Sequence, residues 1–232
     1  MEAGSLTIFL CALSVFSAEG APTFTEEPKK KIPAVEGANI TLEWKYTFSK
    51  EESFRQALFD MDKDQLLDKF ASDDTPWIKP SHRGRIYANI TNNYASITLL
   101  GVNRLDKGSY TLRVTTNPHK DRTTSELKFS VLYQPEITLN PLNATREKGE
   151  NFTLSCSANG NPEPNISWIF NGSRINTNYN SRKVFSINRQ RMTITSVSVT
   201  DSGEYQCIAS NNLGNASSQV ATLDVLCKYD VS

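Results

Sequence analysis

The chain is poor in the residues on which most catalytic sites and nucleic-acid-binding surfaces depend. Its 232 residues include only two histidines and four cysteines, and 25 acidic residues balance 25 basic ones. A protein without net charge has no overall field that would draw it to nucleic acid or to a charged membrane surface. After residue 20, no apolar run approaches the ~20 residues that a membrane-spanning helix needs. The composition therefore argues against nucleic-acid partners and against a membrane span in this part of the chain.

The few candidate catalytic and metal-binding residues do not form a site. His82 and His119 lie in turn-rich segments, and the sequence places no nucleophile beside either of them. The run "DMDKDQLLD" (60–68) has aspartates at the first three ligand positions of a calcium loop, but Gln65 replaces the required glycine and Ala71 the required glutamate. We interpret it as a polar turn between two strands. We therefore predict no enzyme activity, no catalytic residue, no metal site and no cofactor.

The first twenty residues differ in character from the rest. The segment "LTIFLCALSVF" (6–16) is an apolar run of signal-peptide length, and small residues precede Ala21. We predict that residues 1–20 are a cleaved signal peptide and that the mature protein is secreted or extracellular. Cys11 leaves with this segment, so Cys156, Cys207 and Cys227 remain. An oxidising compartment favours pairing two of these cysteines and leaves one odd.

Seven Asn-X-Ser/Thr sequons fit the same compartment. Because successive side chains of a strand point to opposite faces, an asparagine beside inward-pointing apolar residues points to solvent. By this alternation Asn39, Asn89, Asn151 and Asn165 point to solvent. The sequence predicts N-linked glycans at all seven sequons: Asn39, Asn89, Asn143, Asn151, Asn165, Asn171 and Asn215.

The sequence repeats one plan twice. The segment "EGANITLEW" (36–44) matches "KGENFTLSC" (148–156), and "SITLLGVNRLDKGSYTL" (96–112) matches "MTITSVSVTDSGEYQC" (192–207). Both copies consist of short alternating strands separated by Asn, Gly, Pro and Asp turns, without an amphipathic helix. This pattern predicts an all-β protein built from two sandwiches.

The second copy carries Cys156, Trp168 and Cys207, with Tyr205 two residues before the second cysteine. This set resembles an immunoglobulin domain, which would occupy residues 134–227. The resemblance implies that Cys156 and Cys207 form a disulfide between the two sheets beneath Trp168. It also implies that the Tyr205 hydroxyl bonds back to the main chain.

The first copy, residues 21–133, has Trp44 and Leu112 where the second copy has its cysteines. We predict that Trp44, Tyr110 and Leu112 form an apolar core that replaces the disulfide, because each buried apolar side chain contributes roughly 1.5–3 kcal/mol. A longer spacing between the anchors leaves room for extra edge strands, and Arg85 and Asp106 resemble the ion pair that closes one end of variable-type domains.

A variable-type domain without cysteines, followed by a disulfide-bonded I-set or C2-like domain, resembles the carcinoembryonic-antigen-related cell adhesion family. The resemblance implies two tandem immunoglobulin-like β-sandwiches. It also implies recognition through the outer face of strands G, F, C and C′ of the first domain, the GFCC′ face. Asn39 and Asn89 belong to strands B and D of the opposite sheet, so the GFCC′ face carries no sequon.

The side chains expected on that face depend on the register of strand C, "FRQALF" (54–59). If Leu58 points inward, the outward residues of strand C include Ala57, and the candidate partner-binding residues are Arg55, Phe59, Thr111, Arg113 and Thr115. An exposed Phe beside Arg and Thr is typical of the centre of an interface. A register shifted by one residue would bury Phe59 instead, and no tryptophan on the strand decides between the two.

The function that the resemblance implies is extracellular protein–protein recognition, above all cell adhesion or self-recognition. The partner would be a second copy or another immunoglobulin-superfamily surface receptor. Two alternatives stay open. One is a soluble ligand or decoy for a different receptor, and the other is glycosaminoglycan binding through basic residues that would share one sheet face. These basic residues are Arg182, Lys183, Arg189 and Arg191.

By the repeat, Cys227 corresponds to Tyr133, at the junction that follows each domain. Residues 228–232 then form a tail that begins a further domain. In one interpretation the chain is part of a longer membrane receptor and lies at the cell surface. In the other it is a secreted two-domain protein whose Cys227 forms an intermolecular disulfide.

Overall fold

The structure, a computed structural model, describes residues 6–7, 21–117, 121–176 and 182–227. The chain divides into two compact units, one ending at Val131 and the other beginning at Leu132. Only Leu6–Thr7 of the predicted signal peptide is described, as a short strand. The rest of that segment, His119 and the predicted tail 228–232 lie outside the described residues.

All regular elements in the described ranges are β-strands, apart from three 3-10 turns at Pro80–His82, Arg104–Asp106 and Val199–Asp201. The strands of the first unit are β1 Leu6–Thr7, β2 Thr23–Glu26, β3 Lys31–Val35, β4 Ile40–Thr47, β5 Ser53–Met61, β6 Asp64–Phe70, β7 Trp77–Ile78, β8 Ile86–Ile90, β9 Tyr94–Leu99 and β10 Gly108–Asn117. Strand β11, Arg122–Leu139, begins in the first unit and ends in the second. The strands of the second unit are β12 Ala144–Glu147, β13 Phe152–Ser155, β14 Ser157–Asn161, β15 Asn165–Phe170, β16 Ser173–Arg174, β17 Lys183–Phe185, β18 Arg191–Ile194, β19 Gly203–Asn211, β20 Gly214–Ser217 and β21 Ala221–Leu226. The all-β prediction is confirmed.

Two sheets form the first unit. In the back sheet, β4 pairs with β1, β2 and β9, and β9 pairs with β8. In the front sheet the strands follow the order β3, β11, β10, β5, β6, β7. Strands β11, β10, β5 and β6 correspond to G, F, C and C′, and β7 extends the front sheet by one more strand. The outward side of the front sheet is therefore the predicted GFCC′ face.

The core of the first unit lies between the two sheets and is centred on Trp44. Alternate residues of β4 are buried, as expected for a strand with one face on the core. The Trp44 side chain is fully buried, and its Nε1–H donates to Ser125 Oγ at 2.9 Å. Leu112 is also fully buried. Apolar packing and one hydrogen bond thus occupy the positions that the cysteines have in the second copy.

The second unit is also built from two sheets. One contains β12, β21, β19, β15 and β16 in that order, with β20 also paired to β19, and the other contains β13, β18 and β17. The end of β11 pairs with β14. A disulfide joins Cys156 to Cys207, both fully buried, and Trp168 is the cross-strand neighbour of Cys207.

The same tyrosine hydrogen bond occurs in both units. The Tyr110 hydroxyl donates to the main-chain oxygen of Asp106 at 2.9 Å, and the Tyr205 hydroxyl donates to that of Asp201 at 2.8 Å. Burial raises the pKa of both hydroxyls, so each remains a donor near neutral pH. The repeated sequence therefore produces a repeated hydrogen bond that fixes the 3-10 turn before β10 and before β19 to the strand that follows it.

An arginine–aspartate pair accompanies each tyrosine. Arg85 contacts Asp106 at 2.6 Å in the first unit, and Arg182 contacts Asp201 at 2.7 Å in the second. Burial by itself would raise the pKa of Asp201, but hydrogen bonds from Arg182 and Ser198 outweigh it and hold the pKa below its usual value. The second pair was missed in the sequence because Arg182 was grouped with neighbouring basic residues.

Candidate recognition face

The register expected for strand C is wrong by one residue. Phe59 and Ala57 are buried, with exposed fractions of 2% and 0%, and Leu58 points outward. A bulge explains the difference, because Thr115 pairs with Gln56 while the next residue of β10 pairs with Phe54. The extra residue, Arg55, lets both phenylalanines reach the core. Phe59 is therefore a core residue and is removed from the candidate interface.

Strand pairing then defines which side chains share the outer face. Residues directly opposite each other in adjacent strands project from the same side of a sheet. One row crosses the front sheet in the order Trp77, Asp68, Leu58, Arg113 and Thr124. The row on one side of it contains Phe70, Gln56, Thr115 and Arg122. The row on the other side contains Gln65, Asp60, Thr111 and Glu126.

Three apolar side chains on these rows form an apolar cluster toward the β7 side of the face. Trp77 and Phe70 are 45% and 39% exposed, and Leu58 is partly exposed beside them. Polar residues surround them, and the Gln56 side-chain amide donates to Asp68 at 2.8 Å. Exposed apolar side chains with a polar rim mark sites of protein interaction. We call the outward residues of these three rows the recognition face.

A charged pair lies within the recognition face. The Arg113 guanidinium donates to the Asp60 carboxylate, whose side chain is only 7% exposed. The Arg113 Nε–H is also buried and makes no hydrogen bond. An unpaired buried donor costs free energy, so this Nε–H offsets part of what the ion pair with Asp60 contributes.

The remaining residues predicted for the interface lie on or beside this face. Thr111, Arg113 and Thr115 point outward on β10 and are partly exposed, as expected from the alternation of that strand. Arg55 is partly exposed at the bulge. Sequence reasoning missed Phe70 and Trp77. The available signal was that Trp77 belongs to no alternating apolar pattern that would bury it.

The sequon asparagines all have access to solvent. Six are exposed and Asn39 is partly exposed. Four of them accept a main-chain N–H at their side-chain oxygen: Asn39 from Gly101, Asn143 from Thr222, Asn151 from Ser196 and Asn171 from Glu204. In the first unit, Asn39 and Asn89 flank or lie in strands of the back sheet. Neither is on the recognition face.

The predicted basic cluster does not form one exposed surface. Arg182 is engaged by Asp201, and the Lys183 side chain is only 8% exposed, with its ammonium 4.5 Å from the centre of the Phe170 ring. Burial, followed by the neighbouring Arg182 charge, lowers the pKa of Lys183. Arg189 and Arg191 alone are exposed. The expectation of four basic residues on one sheet face is therefore wrong.

Within the described ranges, no group of three or more His, Cys, Asp or Glu side chains is arranged to hold a metal ion. Cys227 is exposed, and it forms no disulfide with the other cysteines that the structure describes. Among the residues that the structure describes, none belongs to a helix with the length and apolar character of a membrane span.

Part of the chain matches a known domain family. Residues 134–211 match a family model described as immunoglobulin domain. The chain is 30% identical over 133 residues to neural cell adhesion molecule 1 of Bos taurus. The aligned region covers 56% of this chain and 15% of the relative. The chain is 33% identical over 128 residues to the Homo sapiens protein of that name, covering 54% and 15%. The chain thus spans about 15% of the length of these curated relatives.

Solved structures share the fold. A chain in the crystal structure of Dpr11 IG1 bound to DIP-gamma IG+IG2 has a TM-score of 0.66 and 20% identity, over 88% of this chain and 98% of that one. The titin I-band fragment has a TM-score of 0.60 and 22% identity, over 90% and 67%. Residues 134–211 are therefore an immunoglobulin domain, and the chain as a whole has the fold of two tandem immunoglobulin-like β-sandwiches.

Proposed function

We propose that the protein acts outside the cell in protein–protein recognition, and that it binds through the recognition face of its first domain. The observation that carries this proposal is the exposed apolar cluster formed by Leu58, Phe70 and Trp77 on a sheet without a sequon. Large aromatic side chains surrounded by polar groups commonly supply most of the binding energy of an interface. The similarity to neural cell adhesion molecule 1 supports adhesion as the setting.

The proposed partner is a second copy of the chain. Arg122 and Glu126 are both exposed in the first part of β11, two residues to either side of Thr124 in the central row. In a two-fold dimer whose axis runs along this row, the strands of the two faces are antiparallel. Arg122 of one copy then lies opposite Glu126 of the other, which makes the interface self-complementary. The resemblance to the carcinoembryonic-antigen-related family also favours self-recognition.

Export and glycosylation belong to the same proposal. A cleaved segment 1–20, a disulfide and seven sequons suit a secreted or cell-surface protein. A soluble ligand or decoy for another receptor would use the same face with a heterologous partner. The burial of Lys183 and the pairing of Arg182 with Asp201 remove most of the support for glycosaminoglycan binding. We propose no enzymatic activity.

The substitution Trp77→Arg tests the recognition face. Sedimentation equilibrium of the glycosylated mature protein should show a reversible dimer that weakens by at least about tenfold in the variant, because the exposed aromatic side chain is replaced by a charge. Tyr87→Arg is the matched control, since Tyr87 is 56% exposed on β8 of the back sheet. Equal effects of the two substitutions would contradict the proposed face. Dimers lost only in reductant would indicate a Cys227 linkage instead.

Charge reversal tests whether the partner is a second copy of the chain or a different protein. Arg122→Glu and Glu126→Arg should each weaken self-association by roughly threefold to tenfold, because each places like charges opposite one another. The two substitutions together should restore it, since the pairs are re-formed with reversed sign. Failure of the double variant to recover would exclude this two-fold arrangement. A wild-type protein that stays monomeric at high concentration would favour the ligand or decoy.

A further inference from the structure

Strand β13 of the second domain has one edge without a neighbouring strand among the described residues. Strand β13 pairs with β18 on one side, and in the described part of the chain no strand pairs with its other side. The end of β11 pairs with β14, which follows β13, and β12 then pairs with β21 in the other sheet. Because the chain changes sheets at this point, the outer edge of residues 152–155 is left without a neighbouring strand.

A groove of about 350 Å³, with both apolar and polar residues in its walls, runs along this open edge. Its walls include Leu139 and Leu142, which are 46% and 77% exposed, together with Phe152 and Leu154 of β13. The Arg146 guanidinium lies 5.0 Å from the centre of the Phe152 ring and covers part of it. An open edge beside exposed aliphatic side chains is a template for association with another chain.

Strand β13 is short, with four residues, but it carries no blocking residue against such association. Native edge strands are commonly blocked by lysine, by another charge or by proline. The residues of β13, "FTLS", contain neither a charge nor a proline. Apart from the shortness of the strand, protection of this edge therefore falls to groups outside it.

Two sequon asparagines are placed to provide it. Asn143 lies in the wall of the groove, and Asn151 immediately precedes β13. Both are exposed, and each side-chain oxygen accepts a main-chain N–H at 2.9 Å, from Thr222 and Ser196 respectively. This hydrogen bond fixes the amide group and leaves its nitrogen, the atom that carries an N-linked glycan, available for modification.

We propose that N-linked glycans on Asn143 and Asn151 cover the groove and the open edge of β13, and so prevent association through the second domain. This inference rests on the glycosylation included in the proposed function. A glycan is bulky and hydrophilic, so one attached beside this groove both fills the approach to it and solubilises its rim. The glycans of this domain thereby take the role that charged residues have on other sheet edges.

The test removes both sequons and keeps both asparagines. Thr145→Val and Thr153→Val do so together, and a Trp77→Arg background suppresses association through the recognition face. Sedimentation velocity should show self-association strengthened by at least about tenfold relative to the Trp77→Arg parent, because the apolar side chains of the groove are uncovered. Ser217→Ala, which removes the Asn215 sequon on β20, is the matched control and should change nothing. Adding Leu142→Glu to the double variant should restore the monomer.

Two further measurements separate the possible failures. Glycopeptide mass spectrometry of the parent establishes whether Asn143 and Asn151 are occupied, and unoccupied sites overturn this inference without touching the recognition face. Occupied sites with an unchanged monomer in the double variant overturn edge coverage alone. At a concentration where the double variant is still monomeric, hydrogen exchange of the main-chain amides of 152–155 should also quicken by at least about threefold on loss of the glycans.

The Thr153 substitution needs a control of its own. The Thr153 hydroxyl hydrogen-bonds the Thr193 hydroxyl at 2.8 Å, so replacing it also removes this contact. Thr193→Val removes the same hydrogen bond and keeps the sequon. If Thr193→Val quickens exchange as much as the loss of the glycans does, the effect is local destabilisation and the inference fails.

Discussion

The two domains hold their sheets together by different means around the same frame. In the second domain the disulfide between Cys156 and Cys207 links the sheets beside Trp168. In the first domain Trp44 and Leu112 occupy the corresponding positions and are fully buried. Both domains keep the tyrosine hydrogen bond and the arginine–aspartate pair. The frame of the fold therefore does not depend on the covalent link.

The absence of the disulfide also affects the outer surface of the first domain. Trp44 meets Phe59 at 6.0 Å between ring centres, Phe59 meets Tyr110 at 5.5 Å, and Tyr110 meets Phe129 at 5.6 Å. This aromatic cluster draws Phe59 inward. Because neighbouring residues of a strand point to opposite sides, Leu58 is then directed to the recognition face. Core packing and the composition of the candidate interface are thus linked through one strand.

Removal of the disulfide is the change expected to produce the largest difference in stability between the two domains. The cysteines are 51 residues apart, and a link of that span stabilises by about 4 kcal/mol on a chain-entropy estimate. Cys156→Ala with Cys207→Ala should lower the free energy of unfolding of the second domain by about that amount. Differential scanning calorimetry should show one transition moving to lower temperature while the transition of the first domain stays in place.

Two comparisons sharpen this prediction. Cys227→Ala is the control, because Cys227 is exposed and forms no disulfide with the other described cysteines. Reductant should reproduce the effect of the double substitution in the wild-type protein and have no further effect in the variant. If both transitions shift together, the first domain depends on the disulfide of the second and the contrast drawn between them is wrong.

Sequence patterns predicted the parts of this fold that carry position-specific signatures. The repeat was enough to position Cys156, Cys207, Tyr110 and Tyr205. Each lies at a fixed place in a distinctive motif, so no nearby residue offers a competing alignment. Strand C has apolar residues at 54, 57, 58 and 59, and simple alternation therefore fits two registers. The bulge at Arg55 selects one of them, and it depends on pairing with a strand far along the chain.

The recognition face was harder to predict for a related reason. Trp77 belongs to a strand of two residues, and the six residues before it are "ASDDTP", which have no apolar alternation. Its place beside Asp68 follows from the pairing of β7 with β6, which a single sequence does not reveal. Long strands with strong alternation are predictable from sequence, whereas short edge strands depend on the tertiary contacts that form them.

Leu112→Ala is the next largest change and acts on the other domain. Leu112 is fully buried, and truncating such a side chain costs about 3 kcal/mol through lost apolar burial and the cavity left behind. The thermal transition of the first domain should fall while that of the second stays unchanged. Thr111→Ala, on the outward side of the same strand, is the control and should have little effect. A small effect of Leu112→Ala would mean that packing does not replace the disulfide.

The smallest expected effects come from Tyr110→Phe and Tyr205→Phe. Each removes one buried hydroxyl and leaves the main-chain oxygen of Asp106 or Asp201 without its donor, which costs about 1–2 kcal/mol. Because the two hydrogen bonds differ by only 0.1 Å, at 2.9 and 2.8 Å, the two losses should be equal, each confined to its own domain. Urea unfolding of each variant measures both. A clearly larger loss for Tyr110→Phe would show that the domain without a disulfide depends more on its tyrosine hydrogen bond. The same bond would then contribute unequally to the stability of the two domains.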